Sequence, residues 1–475
     1  MVIGCAVGLG IALRAWTLAT SIGHLESDEA VWGLMARHML QGEFTPFFWD
    51  QTYGGTQETI LTAAVFKVAG SSIAALRVVP LALYGLAAWL LWRIALRTVG
   101  DRGAVIATSL FLITPAWFIY KTTRAHGFYA FTMVASLGII LTVLRLRDRP
   151  NWPEAGWLGL LLGLGWWASA QAVLIAGPAL IWLVARKPSI LKKAPLIVAT
   201  ACIGAFPWIV DNLRHDWHSL DPESDAPPGS TYGEHLLGFF EHVLPSGLGL
   251  RLPFTQDWVI TPVISWFLYA LLIAGFVWLL ITRPKPLELL LVVALCYPFI
   301  VAASEFSYYV SEPRYVHLLL PVIALMGGYA LARIKPRLIA AVGVGVLLLC
   351  VGGLVTMKND IGAPVDYTST VKTLKAHGID RAFAEYLVAY PISFVAREEV
   401  IASSTGHVRY PPHDDAVRSH PNPAWVFAEE DSQRDSAFAD ALEGLGVPYQ
   451  RVEIEDFVVY FPASAIHPEA VPAAR

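Results

Sequence analysis

Long apolar runs alternate with short polar connections as far as residue 357, and then the pattern changes. A helix that crosses a bilayer takes about 20 predominantly apolar residues. Runs of that kind fall near 2–22, 73–96, 103–120, 127–144, 155–170, 171–185, 194–211, 259–281, 287–304, 316–332 and 338–357. They predict a polytopic α-helical membrane domain over 1–357, with about eleven transmembrane helices. The stretch 155–185 admits two short helices, or one long helix broken at Gly177-Pro178. The first run has no charged leader and no small-residue cleavage site, so it reads as a transmembrane helix rather than a signal peptide. Two polar segments interrupt the pattern, 23–72 and a Pro/Gly/Asp-rich stretch over 212–258.

The tail, 358–475, mixes periods. A helical stretch near 366–377 is followed by apolar runs at 382–388 and 424–428, a helical stretch near 432–444 and a strand-like run at 450–461. That predicts a small soluble α/β domain. The segment around Pro411, Pro412, Pro421 and Pro423 reads as a loop, and His413-Asp414-Asp415 as solvated.

Composition agrees with the membrane reading. Of 475 residues, 55% are hydrophobic and 15% charged, against about 25% charged in a soluble domain. The 17 tryptophans suit membrane interfaces. A net charge of -4 gives no reason to expect nucleic acid. Cys5, Cys202, Cys296 and Cys350 all lie in apolar runs and read as small buried hydrophobes. No Cys/His cluster has zinc spacing in the sequence.

Charge placement orients the chain. Arg93, Arg97 and Arg102, then Arg145, Arg147 and Arg149, then Arg186, Lys187, Lys192 and Lys193, then Arg283 and Lys285, then Arg333, Lys335 and Arg337 fall in loops on one side. Basic loops stay cytoplasmic. The opposite loops carry acids, among them Glu26, Asp28, Glu29, Glu43, Asp50, Glu58, Asp211, Asp216, Asp221, Glu305 and Glu312. A multi-pass protein of the plasma (inner) membrane is expected, with a cytoplasmic N-terminus and an extracytoplasmic C-terminal domain.

The first outer loop carries the candidate chemistry. Leu25-Glu26-Ser27-Asp28-Glu29-Ala30 opens a stretch in which Val31, Leu34, Met35, His38 and Met39 recur at helical spacing, and Gly42 stops it. This predicts a helix along the membrane surface, capped by Ser27 or Asp28. Asp28 and Glu29 then sit where the helix dipole favours negative charge. A carboxylate held there can take a proton from a hydroxyl or bind a divalent cation. Acids at helix N-termini most often only cap, and that bland reading stands beside the catalytic one. The loop continues through Phe47-Phe48-Trp49-Asp50 to a turn at Tyr53-Gly54-Gly55-Thr56-Gln57-Glu58, where Glu58 adds a carboxylate on the same side. Arg14, inside the first apolar run, needs a partner, a cavity or a path to the surface.

These features together resemble the GT-C superfamily of membrane glycosyltransferases, specifically bacterial relatives of protein O-mannosyltransferases and lipid A aminoarabinose transferases. The residues that carry the resemblance are Arg14, Ser27-Asp28-Glu29-Ala30, Leu76-Arg77-Val78-Val79-Pro80, Gly165-Trp166-Trp167 and Glu312-Pro313-Arg314-Tyr315 leading into Leu320-Pro321, with a soluble tail. The resemblance implies a polyprenyl-phosphate sugar donor and a general base at Asp28 with Glu29 beside it. Two features depart from the family. No lysine-proline-proline follows the first loop, and the second outer loop reads Lys121-Thr122-Thr123-Arg124-Ala125-His126, with no acid.

Nucleotide sugars are made in the cytoplasm, so an outward-facing transferase needs a lipid-linked donor. A phosphate leaving group is a weak base, and one carboxylate suffices where a glycosidase uses two. Asp28 is expected to deprotonate an acceptor hydroxyl of a protein, lipid or polysaccharide, with inversion at the sugar. Cations must hold the departing phosphate. Arg314, Arg124 and Lys121 are the candidates, with His126, Tyr315 and Glu58 as further binding residues. Each also has a plainer reading, as interfacial snorkelling, loop charge or packing. A divalent cation held by Asp28 and Glu29 is the one cofactor considered. The competing function is a transporter or flippase of lipid-linked sugars, which predicts internal repeats and mid-membrane charges.

Overall fold

The structure is a computed structural model that describes residues 2–113, 115–222, 226–361, 365–429, 432–454 and 456–474. Its membrane part starts with α1 (Val2–Leu18), α2 (Ser27–Leu40), α3 (Gln57–Ala69), α4 (Ile73–Thr98), α5 (Gly100–Ile113), α6 (Ala116–Thr122), α7 (Tyr129–Asp148), α8 (Trp152–Ala168) and α9 (Val173–Arg186). It continues with α10 (Ala194–Gly204), α11 (Phe206–Arg214), α12 (Tyr232–Gly238), α13 (Leu244–Gly247), α14 (Pro262–Thr282), α15 (Glu288–Ala302), α16 (Leu320–Leu331) and α17 (Pro336–Ile361). All the predicted apolar runs lie on helices. Among the described residues, five helices are long and apolar enough to cross a membrane, or up to eight if each bent pair is one span.

The bends follow the sequence. Pro115 precedes α6, which turns 73° from α5, and Pro188 opens the segment that turns 114° from α9 to α10. The 155–185 stretch is two helices. The break is at Ser169, whose hydroxyl accepts from Gln171 N, and not at Gly177-Pro178, which lies inside α9. Arg14 is satisfied within the protein. Its guanidinium donates to the Gly10 and Leu112 carbonyls and to the Thr122 hydroxyl.

The tail folds as predicted in class and differs in detail. It holds α18 (Tyr367–Ala376), β1 (Arg381–Ala384), α19 (Tyr386–Val395), β2 (Ile401–Ser404), α20 (Pro411–Arg418), β3 (Ala424–Ala428), α21 (Ser432–Gly444), β4 (Tyr449–Ile454) and β5 (Phe457–Pro462). The sheet order is β2-β1-β3-β5-β4, parallel across the first three strands and antiparallel at the β3–β5 and β5–β4 pairs. The run at 382–388 splits into β1 and the start of α19, and the run at 450–461 is a hairpin of two strands. The segment expected to be a loop around Pro411 is helix α20. Proline is tolerated in a first turn, where its missing N–H has no intrahelical acceptor. His413 is accordingly buried rather than solvated.

The strand period of two sorts this domain's core. Phe383, Trp425, Phe427 and Tyr460 pack with Val417 of α20 and with Phe438 and Leu442 of α21. Ala382, Ala384, Ala402, Val426 and Val459 share a second cluster with α18, α19 and the membrane part's α2 and α3. The C-terminal α/β part therefore rests on α2 through a continuous apolar core. Gly33 of α2 makes the close approach possible, because a Cβ there would lie 2.4 Å from the Phe394 ring.

Candidate active site at the domain junction

Helix α2 begins with three acids whose surroundings differ. Glu26 occupies the N-cap position without a side-chain capping bond, and Ser27 donates instead to the Tyr386 carbonyl of α19. The expected cap by Ser27 or Asp28 is thus replaced by contacts to Tyr386 of α19.

Glu29 is fully buried. Arg77 of α4 grips it with Nε on Oε1 at 2.8 Å and Nη2 on Oε2 at 2.6 Å, and Ala125 N donates to Oε1 at 3.1 Å. Arg77 also donates to the Gly23 and His24 carbonyls, which fixes the turn that leads into α2. Glu26 pairs with Arg124 and accepts from the Tyr120 hydroxyl, and His126 Nδ1 lies 3.8 Å away. Burial alone would raise the Glu26 pKa. Arg124, aided by His126, Tyr120 and Lys121, outweighs burial and holds the carboxyl well below the usual range.

Asp28 differs from both. It is exposed, and its partner is the Tyr386 hydroxyl, which donates to Oδ1. Arg409 Nε donates to the same Tyr386 oxygen at 3.1 Å, and its guanidinium lies over the Phe48 and Tyr386 rings. No cation pairs directly with Asp28, and no carboxylate pairs with Arg409, among the described residues. Tyr53 lies within electrostatic reach of Asp28, Arg409 and Arg314.

Lys121 Nζ meets Glu312 Oε1 at 2.7 Å, and both side chains are buried. Arg314 meets the other oxygen of Glu312 at 2.7 Å and covers the Tyr309 ring, while a third of its side chain stays exposed. Burial raises the Glu312 pKa, and Lys121 and Arg314 bring it down to about 2. Tyr315 is buried, and its carbonyl accepts from Tyr297. His126 is buried with Nε2 unpartnered, and burial, then Lys121, drives its pKa well below the usual value. Arg124 is also buried, with Nε and Nη2 unpartnered among the described residues. Glu58 is buried, with no ion pair among the described residues. Burial pushes its pKa up to about 8, against hydrogen bonds from the Phe131 and Ala130 amides, so it is neutral near pH 7.

The second outer loop, which lacks an acid of its own, thus takes two from elsewhere: Glu26 from the first loop and Glu312 from the loop before α16. Both Glu29 oxygens are held, by Arg77 and by the Ala125 amide, whereas no ion pair forms on Asp28 among the described residues. Sequence reasoning did not reach Tyr386 and Arg409, which come from the tail. Arg77 stood in a quoted motif, with nothing local to mark it as Glu29's partner.

Residues 59–210 match the sequence model of the family described as dolichyl-phosphate-mannose-protein mannosyltransferase. Among curated proteins there is no match. The fold is shared with several solved proteins. ArnT from Cupriavidus metallidurans in the apo state aligns with TM-score 0.68 at 13% identity, covering 95% of this chain and 96% of that one. The same enzyme bound to undecaprenyl phosphate aligns with TM-score 0.64 at 13% identity, covering 97% of each. The Archaeoglobus fulgidus oligosaccharyltransferase tethered with an acceptor peptide aligns with TM-score 0.54 at 13% identity, covering 98% of this chain and 74% of that one. The GT-C resemblance read from the sequence agrees with the family match and with these folds.

Proposed function

We propose that this protein is an integral-membrane glycosyltransferase that moves a sugar from a polyprenyl-phosphate donor to an acceptor hydroxyl on the extracytoplasmic face, with inversion and with Asp28 as general base. One observation carries the choice of base. Of the acids gathered at this junction, Glu26, Glu29 and Glu312 are each matched to a cation, and Glu58 is buried and neutral. Among the described residues, Asp28 alone of these acids is exposed, with only a hydroxyl on it. A base must reach its substrate and accept a proton, and a carboxylate locked to a guanidinium does neither.

In the reaction, Asp28 takes the proton of the acceptor hydroxyl as that oxygen bonds to the anomeric carbon. The bond from that carbon to the phosphate oxygen breaks, and the electron pair leaves with the polyprenyl phosphate. Arg409 and the partly exposed Arg314 are the cations we assign to the growing phosphate charge. Lys121 and Arg124 act behind them, holding Glu312 and Glu26. Tyr386 positions Asp28, and Glu29 with Arg77 fixes the start of α2. A positioned general base contributes roughly 10²–10⁴-fold.

The lipid donor is supported by the shared fold with a protein solved bound to undecaprenyl phosphate. A peptide acceptor has the tethered oligosaccharyltransferase as its precedent, and lipid and polysaccharide hydroxyls fit the same chemistry. Basic loops opposite the acids support the outward orientation. A transporter reading gains no support from Arg14, which is tied to carbonyls and a hydroxyl rather than lining a path.

The test uses purified protein in lipid with a polyprenyl-phosphate sugar and candidate acceptors. Release of polyprenyl phosphate together with a product of inverted anomeric configuration is expected. Movement of the intact donor across the bilayer without bond cleavage would favour the transporter instead.

A further inference from the structure

His38, Glu398 and His413 meet where the soluble domain rests on α2, away from Asp28. His38 comes from the last turn of α2, Glu398 from the turn after α19 and His413 from the first turns of α20. Both Nε2 atoms converge on one oxygen, Glu398 Oε1, at 2.8 and 2.9 Å. The three ligand atoms lie within 4.8 Å of one another, and the side chains are 9, 18 and 6% exposed. The turn that delivers Glu398 is strained, with Arg397 at φ 53° and Glu398 at φ 62°. Consecutive non-glycine residues in the left-handed region persist only where the surroundings impose them.

The far side of His38 says which chemistry this suits. Its Nδ1 lies 2.8 Å from Glu43 Oε2, which also accepts from the Tyr410 hydroxyl at 2.9 Å. Stacked Trp49 and Tyr410 close over the ring. A histidine between two carboxylates is either an imidazolium or a neutral ring whose Nδ1–H is held by Glu43 and whose Nε2 lone pair faces a cation. The second state is the arrangement of metal-bound histidines, whose other nitrogen is held by a carboxylate that fixes tautomer and ring orientation. His413 leaves Nδ1 buried and unpartnered among the described residues, so Nε2 is its working nitrogen.

We propose that His38, Glu398 and His413 bind a divalent transition metal of the zinc type, which clips the soluble domain to the C-terminal end of α2. Two imidazoles and a carboxylate are a ligand set zinc accepts, with water in the fourth position. Bonds of about 2.0–2.1 Å put tetrahedral ligands about 3.3 Å apart, so the separation of each imidazole from Glu398 opens by roughly half an ångström as the ion enters. The ion lies ten residues along α2 from Asp28, about 15 Å at 1.5 Å per residue. Its part is to hold the junction that aligns Tyr386 and Arg409, and it takes no part in bond making.

The experiment measures metal content by mass spectrometry on the full chain in lipid nanodiscs, loaded with zinc and dialysed. About one tightly held zinc per chain is expected. It should be lost in His413→Ala and in Glu398→Gln. It should be kept in a His215→Ala, His218→Ala double variant, which removes the other group with metal-ligand spacing, Asp211 with His215 and His218. Chelation should lower the wild-type melting temperature and leave His413→Ala unmoved. Zinc affinity should rise with pH, because imidazole ligates only when deprotonated. A proton-held clasp of His38 between Glu43 and Glu398, with His413, Tyr410, Arg37 and Arg397 around it, would instead loosen as pH rises. No retained zinc in the wild type, zinc kept in both single variants, or zinc lost only in the double variant would each overturn the proposal. If the variants do not fold, cobalt-loaded wild-type protein decides. Intense visible bands of a tetrahedral site support the clip, and their absence refutes it.

Discussion

Two kinds of charge lie within one turn of α2. Glu26 and Glu29 are each tied to a guanidinium, and Glu312 across the site is tied to Lys121 and Arg314. Asp28, beside them in sequence, is open, and among the described residues its side chain accepts only from the Tyr386 hydroxyl. The buried pairs show what it takes to keep ions in a dry interior. Desolvating them costs several kcal/mol each, and only well-formed partners offset it. They hold loops from distant parts of the chain in register. The open acid has no such duty, and it stands where the soluble domain contributes its own hydroxyl and guanidinium.

The sharpest way to break that contrast is to remove one half of a buried pair. Arg77→Ala should leave the buried Glu29 without its cation, at about 3–5 kcal/mol. The protein should lose cooperative thermal unfolding or precipitate from lipid. An Arg77→Met, Glu29→Gln double variant should recover much of that stability. A stable single variant that loses only turnover would mean that the pair is chemical rather than structural. Lys121→Met should act in the same direction with a smaller effect, since Arg314 still partners Glu312.

On the open edge the effects should appear in kinetics. Arg409→Ala should keep the melting temperature and raise the KM for the lipid donor by roughly tenfold or more, as expected for a charge-assisted contact worth about 1.5–3 kcal/mol. Tyr386→Phe should lower kcat by less, because Asp28 keeps its place on α2. The smallest effect concerns Glu58. Its pKa is raised to about 8 by burial, so the folded state binds more protons than the unfolded state above the ordinary carboxyl range. Stability should therefore fall as pH rises from about 4.5 to about 8. Glu58→Gln should flatten that slope in thermal melts, leaving activity at pH 6 intact.

Much of the architecture is legible in the chain. Apolar runs mark the helices, and the spacing from Val31 to Met39 with Gly42 behind it marks α2, whose final turn is followed by Gly42 at φ 98°. The helix predicted near 432–444 appears with those bounds. What the pattern hides has physical causes. Two prolines at 411 and 412 signal a loop as readily as a first helical turn. In α19 every position from Val388 to Phe394 is buried, and such a segment has no polar face to reveal its period. The partners of the site are long-range. Glu29 finds Arg77 48 residues on, and Asp28 finds Tyr386 358 residues on. No local rule couples such positions, so the open carboxylate was legible and its neighbours were not. His38 likewise appeared only as one apolar-face position of α2, because its companions arrive from the tail.

The most direct measurement is the transfer rate of Asp28→Asn against its melting temperature, in the same lipid preparation. Asparagine keeps the size and accepts the Tyr386 hydroxyl, so the fold should stay within a degree or two of wild type. Turnover should fall by roughly 10²–10⁴-fold with little change in donor binding. A folded Asp28→Asn protein that transfers sugar at the wild-type rate would contradict the assignment of the open acid as the base.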